Sequence, residues 1–380
     1  MEPTDFHRQS RALRDDYLET LAALVAIESP SRDREASNRL ADALEARLHE
    51  DGWVVERHVR EHVGDNLVAR KGMELSGTKT LLLTHYDTVW PKGTVAERPF
   101  TVDGDVAYGP GTVDMKAGIA TAMHAVKLVE AAGTLRGPVT LMVTSDEETG
   151  SEHSRALIES VALTHNRVLV LEPSRDDGAL KVGRKGVAAY DISFTGVSAH
   201  AGLNPELGSS ALRELAHFLP YAEALTDLEQ GTTVNLTVAS GGTTGNVIAA
   251  HAQATLDVRV SHLGEAERVD RALRAYQPND AKVTVDVQGG VNRPPMEANA
   301  ANIGLFEEAK TIGAAMGVTF DSCVVGGGSD GNFTSALGVP TLDGLGSVGQ
   351  GSHAVHEQIR IAETLDRLAT VAGFLSADGA

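Results

Sequence analysis

The chain has 380 residues, of which 42% are hydrophobic and 22% charged, and it carries a formal net charge of -19. This length allows two or three compact domains, and the composition is that of an ordinary globular protein. The acidic balance argues against a nucleic-acid partner, which requires a basic face. The single cysteine, Cys323, excludes an internal disulfide and a zinc site built from several thiolates.

The sequence gives no sign of a membrane-spanning or secreted protein. No apolar stretch approaches the roughly 20 residues that cross a bilayer. The first residues, MEPTDFHRQSR, lack the basic region followed by an apolar region that marks a secretory signal. The simplest expectation is therefore a cytoplasmic protein with no membrane partner.

The first half of the chain alternates predicted strands with predicted helices. Apolar residues at helical spacing predict helices at 10–28, 35–49, 116–131 and 152–162. Short β-rich runs predict strands at 53–58, 66–70, 79–84, 140–145 and 167–172. Several of these strands are apolar throughout, which indicates a mostly parallel sheet covered by helices on both faces.

From about residue 180 the pattern changes to strand, helix, two strands, helix and strand. The segments lie at 186–196, 208–228, 232–240, 247–261, 264–276 and 282–288. This βαββαβ order predicts a small ferredoxin-like α+β domain. Beyond residue 296 the chain returns to helix, strand and glycine-rich loops, with a last helix at 362–375. We therefore predict one α/β domain formed by residues 1–180 and 293–380, interrupted by an inserted domain at residues 181–292.

Acidic and imidazole side chains recur where predicted strands or turns end. They are His85 and Asp87 in TLLLTHYDTV, Asp114 in GPGTVDMKAG, Asp146, Glu147 and Glu148 in TLMVTSDEETG, and Glu172 in RVLVLEPS. In open α/β sheets the binding crevice lies beyond the carboxyl ends of the strands. If these segments share a sheet, we expect their side chains to converge there.

A converging set of carboxylates indicates bound cations, because carboxylates this close repel each other unless a cation lies among them. Imidazole and carboxylate ligands without thiolates suit Zn²⁺, with Mn²⁺ or Co²⁺ as alternatives. Two ions about 3.5–4 Å apart need a bridging carboxylate and terminal ligands on each side. The candidate ligands are His85, Asp114, Glu148, Glu172 and one further histidine.

Two neighbouring residues have candidate roles outside the ligand set. Asp87, two positions after His85 on the same strand face, would orient the imidazole. Glu147, beside a candidate ligand, would take a proton from water as general base. Each motif alone is a weak signal, but their combination in one order indicates a metal site.

Six segments closely resemble the motifs of a known enzyme family, in the family's order. They are THYDTV, AYGPGTVDMKAG, TSDEETGS, LEPS, GVSAHAG and GSHAVHE. The family is that of the di-zinc glutamate carboxypeptidases, aminoacylases and acetylornithine deacetylases, and the resemblance runs from about residue 10 to residue 375. GPG before Asp114, and GGGSD at residues 326–330, are most similar to the carboxypeptidase G branch.

The resemblance implies two Zn²⁺ ions per subunit and assigns their ligands. The implied ligands are His85, bridging Asp114, Glu148, Glu172 and His353, with Glu147 as general base and Asp87 as orienting residue. His356, three positions after His353, falls where the family has another residue and remains the alternative imidazole. The resemblance also implies a cis peptide bond between Asp114 and Met115.

The resemblance further implies a homodimer formed through the inserted domain, with residues from that domain acting on substrate. The histidine matched by His200 reaches the active site of the partner subunit and helps to polarise the scissile carbonyl. The candidate residues for binding the substrate carboxylate are Asn246, Arg259, Arg293, Gly327, Gly328 and Ser329. In this interpretation residues 181–292 form a dimerisation domain, and the rest of the chain is the metal-binding catalytic domain.

We therefore predict a zinc-dependent metallo-carboxypeptidase or amidohydrolase. Its substrate would be a small peptide or N-acyl amino acid, from which it releases a C-terminal, glutamate-like residue. One alternative within the same chemistry is an N-acyl amino acid deacylase. A second alternative is a two-metal phosphoesterase, which requires a crevice richer in Lys and Arg. A third is a non-catalytic metal-containing binding protein, which would be expected to lack Glu147 or one of the ligands.

Overall fold

The structure, a computed structural model, describes residues 3–377, so the outermost residues of the predicted catalytic domain lie outside the described part. The helices are α1 (Pro3–Ala12), α2 (Arg14–Ala26), α3 (Arg34–Glu50), α4 (Thr94–Glu97), α5 (Ala117–Ala131), α6 (Arg155–Ala162), α7 (Ala211–Glu223), α8 (Leu263–Ala275), α9 (Ala300–Met316), α10 (Gly331–Ala336) and α11 (Ile361–Ser376). The helix predicted at 10–28 corresponds to α2 and the last residues of α1, which meet at Leu13, and most of α1 was not predicted.

Sixteen strands accompany these helices in the described part of the chain. They are β1 (Val54–His58), β2 (Asn66–Lys71), β3 (Thr80–His85), β4 (Thr101–Asp103), β5 (Val106–Tyr108), β6 (Val139–Thr144), β7 (Arg167–Val170), β8 (Leu180–Arg184), β9 (Gly186–Thr195), β10 (Thr233–Gly241), β11 (His251–Val260), β12 (Thr284–Arg293), β13 (Ser322–Val325), β14 (Thr341–Asp343), β15 (Gly349–Gln350) and β16 (Gln358–Arg360).

The chain forms two compact units. The large unit consists of the residues up to Gly183, Ala298–Val324, and the residues from Ser329 onward. The small unit consists of Arg184–Glu297 and Val325–Gly328. The small unit is therefore an insertion in the chain of the large unit.

The large unit is built on an eight-stranded mixed sheet in the order β1-β2-β6-β3-β7-β14-β8-β13. Its central strands β6, β3, β7 and β14 are parallel, while β1, β2 and β8 pair antiparallel. This arrangement confirms the predicted mixed sheet and places its parallel strands at the centre.

Helices cover both faces of this sheet, which explains why its central strands are apolar throughout. Every residue of β3 and of β6 is buried. Leu82 and Leu141 pack in one hydrophobic cluster with α1, α2, α3, α5, α9 and α11, while Leu83 and Met142 pack in another with α6 and α10. Each fully buried side chain of this size stabilises the fold by about 1.5–3 kcal/mol.

A second sheet in the large unit has short strands in the order β15-β16-β5-β4. The hairpin β15–β16 pairs through β16 with β5, so that Gln358 lies opposite Tyr108 and Arg360 opposite Val106. The sequence did not predict these strands, because segments of two or three residues carry no measurable periodicity.

The small unit is a four-stranded antiparallel sheet in the order β10-β11-β9-β12, with α7 and α8 packed on it. Alternate residues of β9, including Tyr190, Ile192 and Phe194, are buried. Phe194 meets Phe218 of α7 edge-on at a ring-centroid distance of 5.5 Å. The βαββαβ order and this strand arrangement confirm the predicted ferredoxin-like domain. Across residues 3–377, no helix has both the length and the apolar character needed to span a membrane.

Candidate metal centre

Three of the candidate ligand segments leave the large sheet at adjacent strand ends. His85 is the last residue of β3, Glu148 follows β6, and Glu172 follows β7. Because β3 pairs in parallel with both β6 and β7, the three carboxyl ends lie side by side. The sheet therefore brings together the imidazole and the carboxylates that the sequence separates.

Asp114 is presented by a turn between β5 and α5. The turn spans Thr112–Lys116, and Asp114 has an extended backbone with φ -123° and ψ 94°. The peptide bond between Asp114 and Met115 is cis, as the resemblance implied. With this extended backbone, Asp114 faces the strand ends instead of joining α5.

His353 lies in the loop between β15 and β16. Its backbone has φ 62°, one of two positive values among the non-glycine residues in the described part of the chain. The side chain is 52% exposed, whereas that of His85 is 1% exposed. The side chain of His85 is therefore enclosed by protein, whereas that of His353 is half exposed to solvent.

The two carboxylate oxygens of Asp114 face two different histidine–glutamate pairs. On one side, His85 Nε2 lies 3.3 Å from Asp114 Oδ1 and 3.3 Å from Glu172 Oε1. On the other side, His353 Nε2 lies 2.9 Å from Glu148 Oε2 and 3.5 Å from Asp114 Oδ2. The site therefore has two halves that share Asp114. We call them the His85 pole, with Glu172, and the His353 pole, with Glu148. No ion pair links His356 to the acidic residues of the described chain.

Asp87 lies beneath this centre and is fully buried. Its Oδ1 is 3.2 Å from His85 Nδ1, and its carboxylate accepts from the backbone N–H groups of Glu147 and Glu148, each at 3.2 Å. The hydroxyl of Ser31 donates to it at 2.6 Å. Since Asp87 engages Nδ1 of the imidazole, the other nitrogen, Nε2, is directed at the carboxylates.

Burial, and then repulsion between neighbouring carboxylates, shifts the pKa values of the acidic residues in this cluster. Burial and the neighbouring Asp114 raise the pKa of Glu148 to about 8, and the same two causes raise the pKa of Glu172. Burial alone would lower the pKa of His85, but the surrounding carboxylates, Asp114 foremost, raise it well above its usual value. Protons thus compensate charge that a cation would otherwise neutralise.

The residues present fit a divalent metal ion. Within the described part of the chain, His85 Nε2 and Glu148 Oε1 are buried and make no hydrogen bond, as expected of atoms that would bind a cation. The potential ligand atoms form two groups, and within each group all the atoms lie within 4.8 Å of one another. The groups are His85–Asp114–Glu148 and His85–Glu147–Glu172. This nitrogen and oxygen donor set, without sulfur, matches zinc, manganese or cobalt. Cys323 is buried and belongs to neither group.

Glu147 belongs to the same cluster without occupying either pole. A carboxylate oxygen of Glu147 lies within 4.8 Å of the ligand atoms of His85 and Glu172. Its backbone is fixed by the bond to Asp87. The side chain is therefore within reach of a water molecule placed among these groups.

The predicted catalytic residue His200 and the predicted substrate-binding residue Asn246 lie next to each other in the small unit. His200 is exposed, and its Nδ1 accepts from the backbone N–H groups of Gly202 and Leu203, each at 3.1 Å. Asn246 is also exposed, and its backbone oxygen accepts from Ala201 N at 2.9 Å. His200 and Asn246 are thus held on one pair of adjoining loop segments.

The two predicted arginines of the small unit differ in their surroundings. The guanidinium of Arg259 makes a double contact with Asp257 on the same strand, at 3.0 Å to Oδ1 and 2.8 Å to Oδ2. Arg293, by contrast, is 4% exposed and packs against Gly328, where a Cβ would lie 2.8 Å from Arg293 Cδ. The glycine is therefore required for this close approach.

The remaining predicted residues lie in the glycine-rich segment. The backbone oxygens of Gly327 and Gly328 accept from Arg184 Nη1 at 3.2 Å. Ser329, which belongs to the large unit, is fully buried, and its hydroxyl donates to Asp343 at 2.6 Å. Gly327 and Gly328 belong to the small unit, so the two units divide within this segment.

The sequence analysis missed two residues that form hydrogen bonds to Asp87 or to Asp114. Ser31 donates to Asp87, and no local pattern marks it. Glu357 accepts from the backbone N–H of Asp114 at 3.1 Å. Glu357 does close the segment GSHAVHE, so its position in that motif was the available signal.

Comparisons with known proteins find relatives over most of the chain. A family model described as Peptidase family M20/M25/M40 matches residues 81–377. Carboxypeptidase G2 of Pseudomonas sp. (strain RS-16) is 35% identical over 348 residues, which cover 89% of this chain and 83% of that protein. Succinyl-diaminopimelate desuccinylase of Methylobacterium sp. (strain 4-46) is 29% identical, with 91% of this chain and 92% of that protein covered. The crystal structure of aminopeptidase PepT from Bacillus cereus ATCC 10987 has the same fold, with a TM-score of 0.80, 23% identity, and coverage of 96% of this chain and 99% of that one.

Proposed function

The chain belongs to peptidase family M20/M25/M40, and on that premise we propose that it is a di-zinc carboxypeptidase that releases a glutamate-like C-terminal residue. Family membership makes it a metal-dependent peptidase or amidohydrolase acting on peptide or linear amide bonds. The single observation that supports the two-ion site is that the oxygens of Asp114 face two separate histidine–glutamate pairs. The 35% identity to carboxypeptidase G2 supports the carboxypeptidase branch.

The proposed cation ligands follow the two poles of the cluster. His85 and Glu172 would hold one ion, His353 and Glu148 the other, and Asp114 both. Divalent ions bound there would supply Lewis acidity, which acidifies water and polarises an amide carbonyl. Asp87 keeps the imidazole of His85 oriented towards its ion.

Glu147 is the proposed general base. Its carboxylate takes a proton from the attacking water and passes the proton to the leaving amine, so that a C–N bond breaks as a C–O bond forms. The proximity of Glu147 to His85 and Glu172 supports this role. General base catalysis of this kind contributes about 10²–10⁴-fold to the rate.

Recognition of the substrate carboxylate is assigned to residues that match the family's motifs. Arg259, Arg293 and Asn246 would supply donors, with Gly327, Gly328 and Ser329 shaping the backbone nearby. For Arg259 to bind a substrate carboxylate, it must exchange the contact with Asp257 for that ligand. His200 would act in the active site of the partner subunit of a homodimer.

Amide hydrolysis by metal-free and zinc-reconstituted protein tests this function. The substrates are peptidyl and N-acyl derivatives of many amino acids, and the variants are Glu147→Gln and, as a matched control, Glu152→Gln, which removes an exposed carboxylate from the same segment. We expect zinc-dependent release of glutamate, a loss of about 10²–10⁴-fold in kcat for Glu147→Gln with zinc still bound, and near-normal activity for Glu152→Gln.

Two outcomes would overturn parts of this proposal. Activity confined to N-acyl derivatives of other amino acids would keep the metal chemistry and replace the substrate. Hydrolysis that is independent of metal would contradict the assignment of the ligands.

A further inference from the structure

A buried carboxylate outside the ligand set contacts the segments that carry the ligands. Glu357 is 1% exposed and accepts four hydrogen bonds. Its Oε2 accepts from Gly111 N and from Trp90 Nε1, both at 2.7 Å. Its Oε1 accepts from Val113 N at 2.9 Å and from Asp114 N at 3.1 Å. Both oxygens are thus fully used as acceptors.

These four donors belong to segments that each carry a proposed ligand. Trp90 lies five residues after His85, and the Gly111–Asp114 turn ends in the shared carboxylate. Glu357 itself follows His353 by four residues. One side chain therefore ties together the segments bearing His85, Asp114 and His353, which the main sheet alone does not connect.

Further contacts hold the loop of His353 against Trp90. The guanidinium of Arg98 lies 4.1 Å from the centroid of the Trp90 ring, and Arg98 Nη1 donates to the backbone oxygen of Val355 at 3.0 Å. Gly351 has φ 85°, and a Cβ there would lie 3.0 Å from Glu357 Cα. This loop is consequently built around the backbone of Glu357.

The two poles of the centre differ in how they are otherwise supported. The His85 pole is buried, and Asp87 contacts its imidazole independently of Glu357, whereas on the other side Asp87 reaches only the backbone of Glu148 and not His353. His353 is half exposed and has a left-handed backbone, so its position depends on the loop that carries it. Loss of the contacts of Glu357 should therefore affect the His353 pole more than the His85 pole.

We infer that Glu357 is a positioning residue that sets the affinity of the second cation, by fixing the Asp114 turn and the His353 loop to each other. The inference rests on the proposed function, since it takes His353, Glu148 and Asp114 as ligands. It assigns Glu357 no contact with the cation or the substrate. Outer partners of metal ligands typically change metal affinity by about 10–100-fold when removed.

Glu357→Gln is the informative substitution, because it keeps the shape of the side chain. The amide has one oxygen, so at most two of the four donors keep an acceptor, and its NH₂ group faces the N–H groups of the other two. We expect the second equivalent of Co²⁺ or Zn²⁺ to bind about 10–100-fold more weakly than in the unsubstituted protein, with a smaller change in the first.

The experiment titrates the metal-free full-length protein with Co²⁺ and with Zn²⁺ against a chelator of known affinity. Equivalents are counted, and the visible spectrum of bound Co²⁺ is recorded at each step. Glu308→Gln is the matched control, because Glu308 pairs with Arg167 at 2.9 Å, at the opposite end of β7 from Glu172. The variant His353→Ala removes a proposed ligand of the second cation, and its titration shows the result expected when that binding position is lost.

The outcomes separate this inference from the proposed function. If the unsubstituted protein binds two equivalents and Glu357→Gln binds two with unchanged affinities, the inference is wrong and the proposed function stands. If the unsubstituted protein itself never binds a second equivalent, the two-ion function fails first. An equal weakening in Glu308→Gln would attribute the effect to general destabilisation and overturn the inference.

A second variant keeps the test decisive if Glu357→Gln does not fold. Trp90→Phe removes one of the four donors and leaves the carboxylate in place. We expect a smaller weakening of the second equivalent, in the same direction, at an unchanged melting temperature of the metal-free protein. Unchanged affinity in this folded variant, with Glu357→Gln unfolded, would contradict the inference.

Discussion

At the scale of single residues, Asp87 has more partners than a strand pattern can predict. Its position two residues after His85 already indicates a contact with the imidazole, because alternate residues of a strand share a face. Its bonds to the backbone of Glu147 and Glu148, and to Ser31, depend on how closely separate segments approach. No spacing within one segment encodes that approach, so the sequence alone could not supply it.

Substitution of Asp87 should lower the affinity of the candidate centre for metal ions. Asp87→Ala removes the carboxylate beside His85 Nδ1, which then keeps only the backbone oxygen of residue 87 at 3.1 Å, and it leaves two backbone N–H groups without their acceptor. We therefore expect metal affinity to fall by about 10–100-fold and kcat/KM to fall with it. Asp87→Asn keeps one oxygen and should lose less. Chelator competition measures the affinity, and Asp103→Ala, an exposed aspartate, is the control. Normal metal affinity in Asp87→Ala would contradict the role.

At the scale of elements, the sequence predicted the helices and strands that are long enough, or apolar enough, to show a clear pattern. The apolar runs of β3, β6 and β7 indicated the parallel centre of the sheet, and the residues at or just after their carboxyl ends were the candidate ligands. The short strands β5, β15 and β16 escaped prediction, although they carry the Asp114 turn and the His353 loop. The sequence therefore located one side of the candidate centre from the residues themselves, and only the resemblance selected the histidine of the other side.

Helix α5 contacts the ligand-bearing strand end so closely that it requires a glycine. A Cβ at Gly118 would lie 2.0 Å from the backbone oxygen of Leu171, the residue before Glu172, and 2.9 Å from Met115 Cε. We expect Gly118→Ala to lower the free energy of unfolding by about 1–3 kcal/mol through overpacking, despite the better helix propensity of alanine. Chemical denaturation measures this change.

A second helical glycine provides the control. Gly304 lies inside α9, and a Cβ at this position would meet no neighbouring residue of the described chain within 4 Å. Gly304→Ala should stabilise the protein by about 0.5–1 kcal/mol. If both substitutions shift the free energy of unfolding in the same direction, close approach does not decide the effect at Gly118.

At the scale of the whole molecule, the acidic cluster links metal binding, protons and stability. Burial and Asp114 raise the pKa of Glu148 to about 8, and its contact with Glu148 raises the pKa of His353 to about 9. A carboxyl group whose pKa is raised on folding stabilises the metal-free protein below its unfolded pKa, near 4.5, and that contribution is lost as the pH rises through about 8. A metal ion must displace the same protons to bind.

The increase in melting temperature on adding Zn²⁺ should therefore grow with pH. We expect a small increase at pH 5 and a progressively larger one up to pH 9, because Glu148 loses its proton near pH 8 and His353 near pH 9. At 100-fold excess of free metal over its dissociation constant, the stabilisation is about 2.7 kcal/mol per site. Thermal melts at fixed ionic strength, with and without Zn²⁺, measure it. A metal-induced shift that is the same at every pH would contradict the ligand assignment.

The pairing of β16 with β5 has a consequence for how the protein is made. His85, Asp114, Glu148 and Glu172 are all synthesised before the small unit, whereas His353 and β16, the partner strand of β5, follow it. At 5–20 residues per second, the interval between Glu172 and His353 lasts on the order of 10–40 s. During that time the growing chain carries four of the five proposed ligands and lacks His353. Under the proposed ligand assignment, loading of both ions is a maturation step that only the finished carboxyl-terminal hairpin permits.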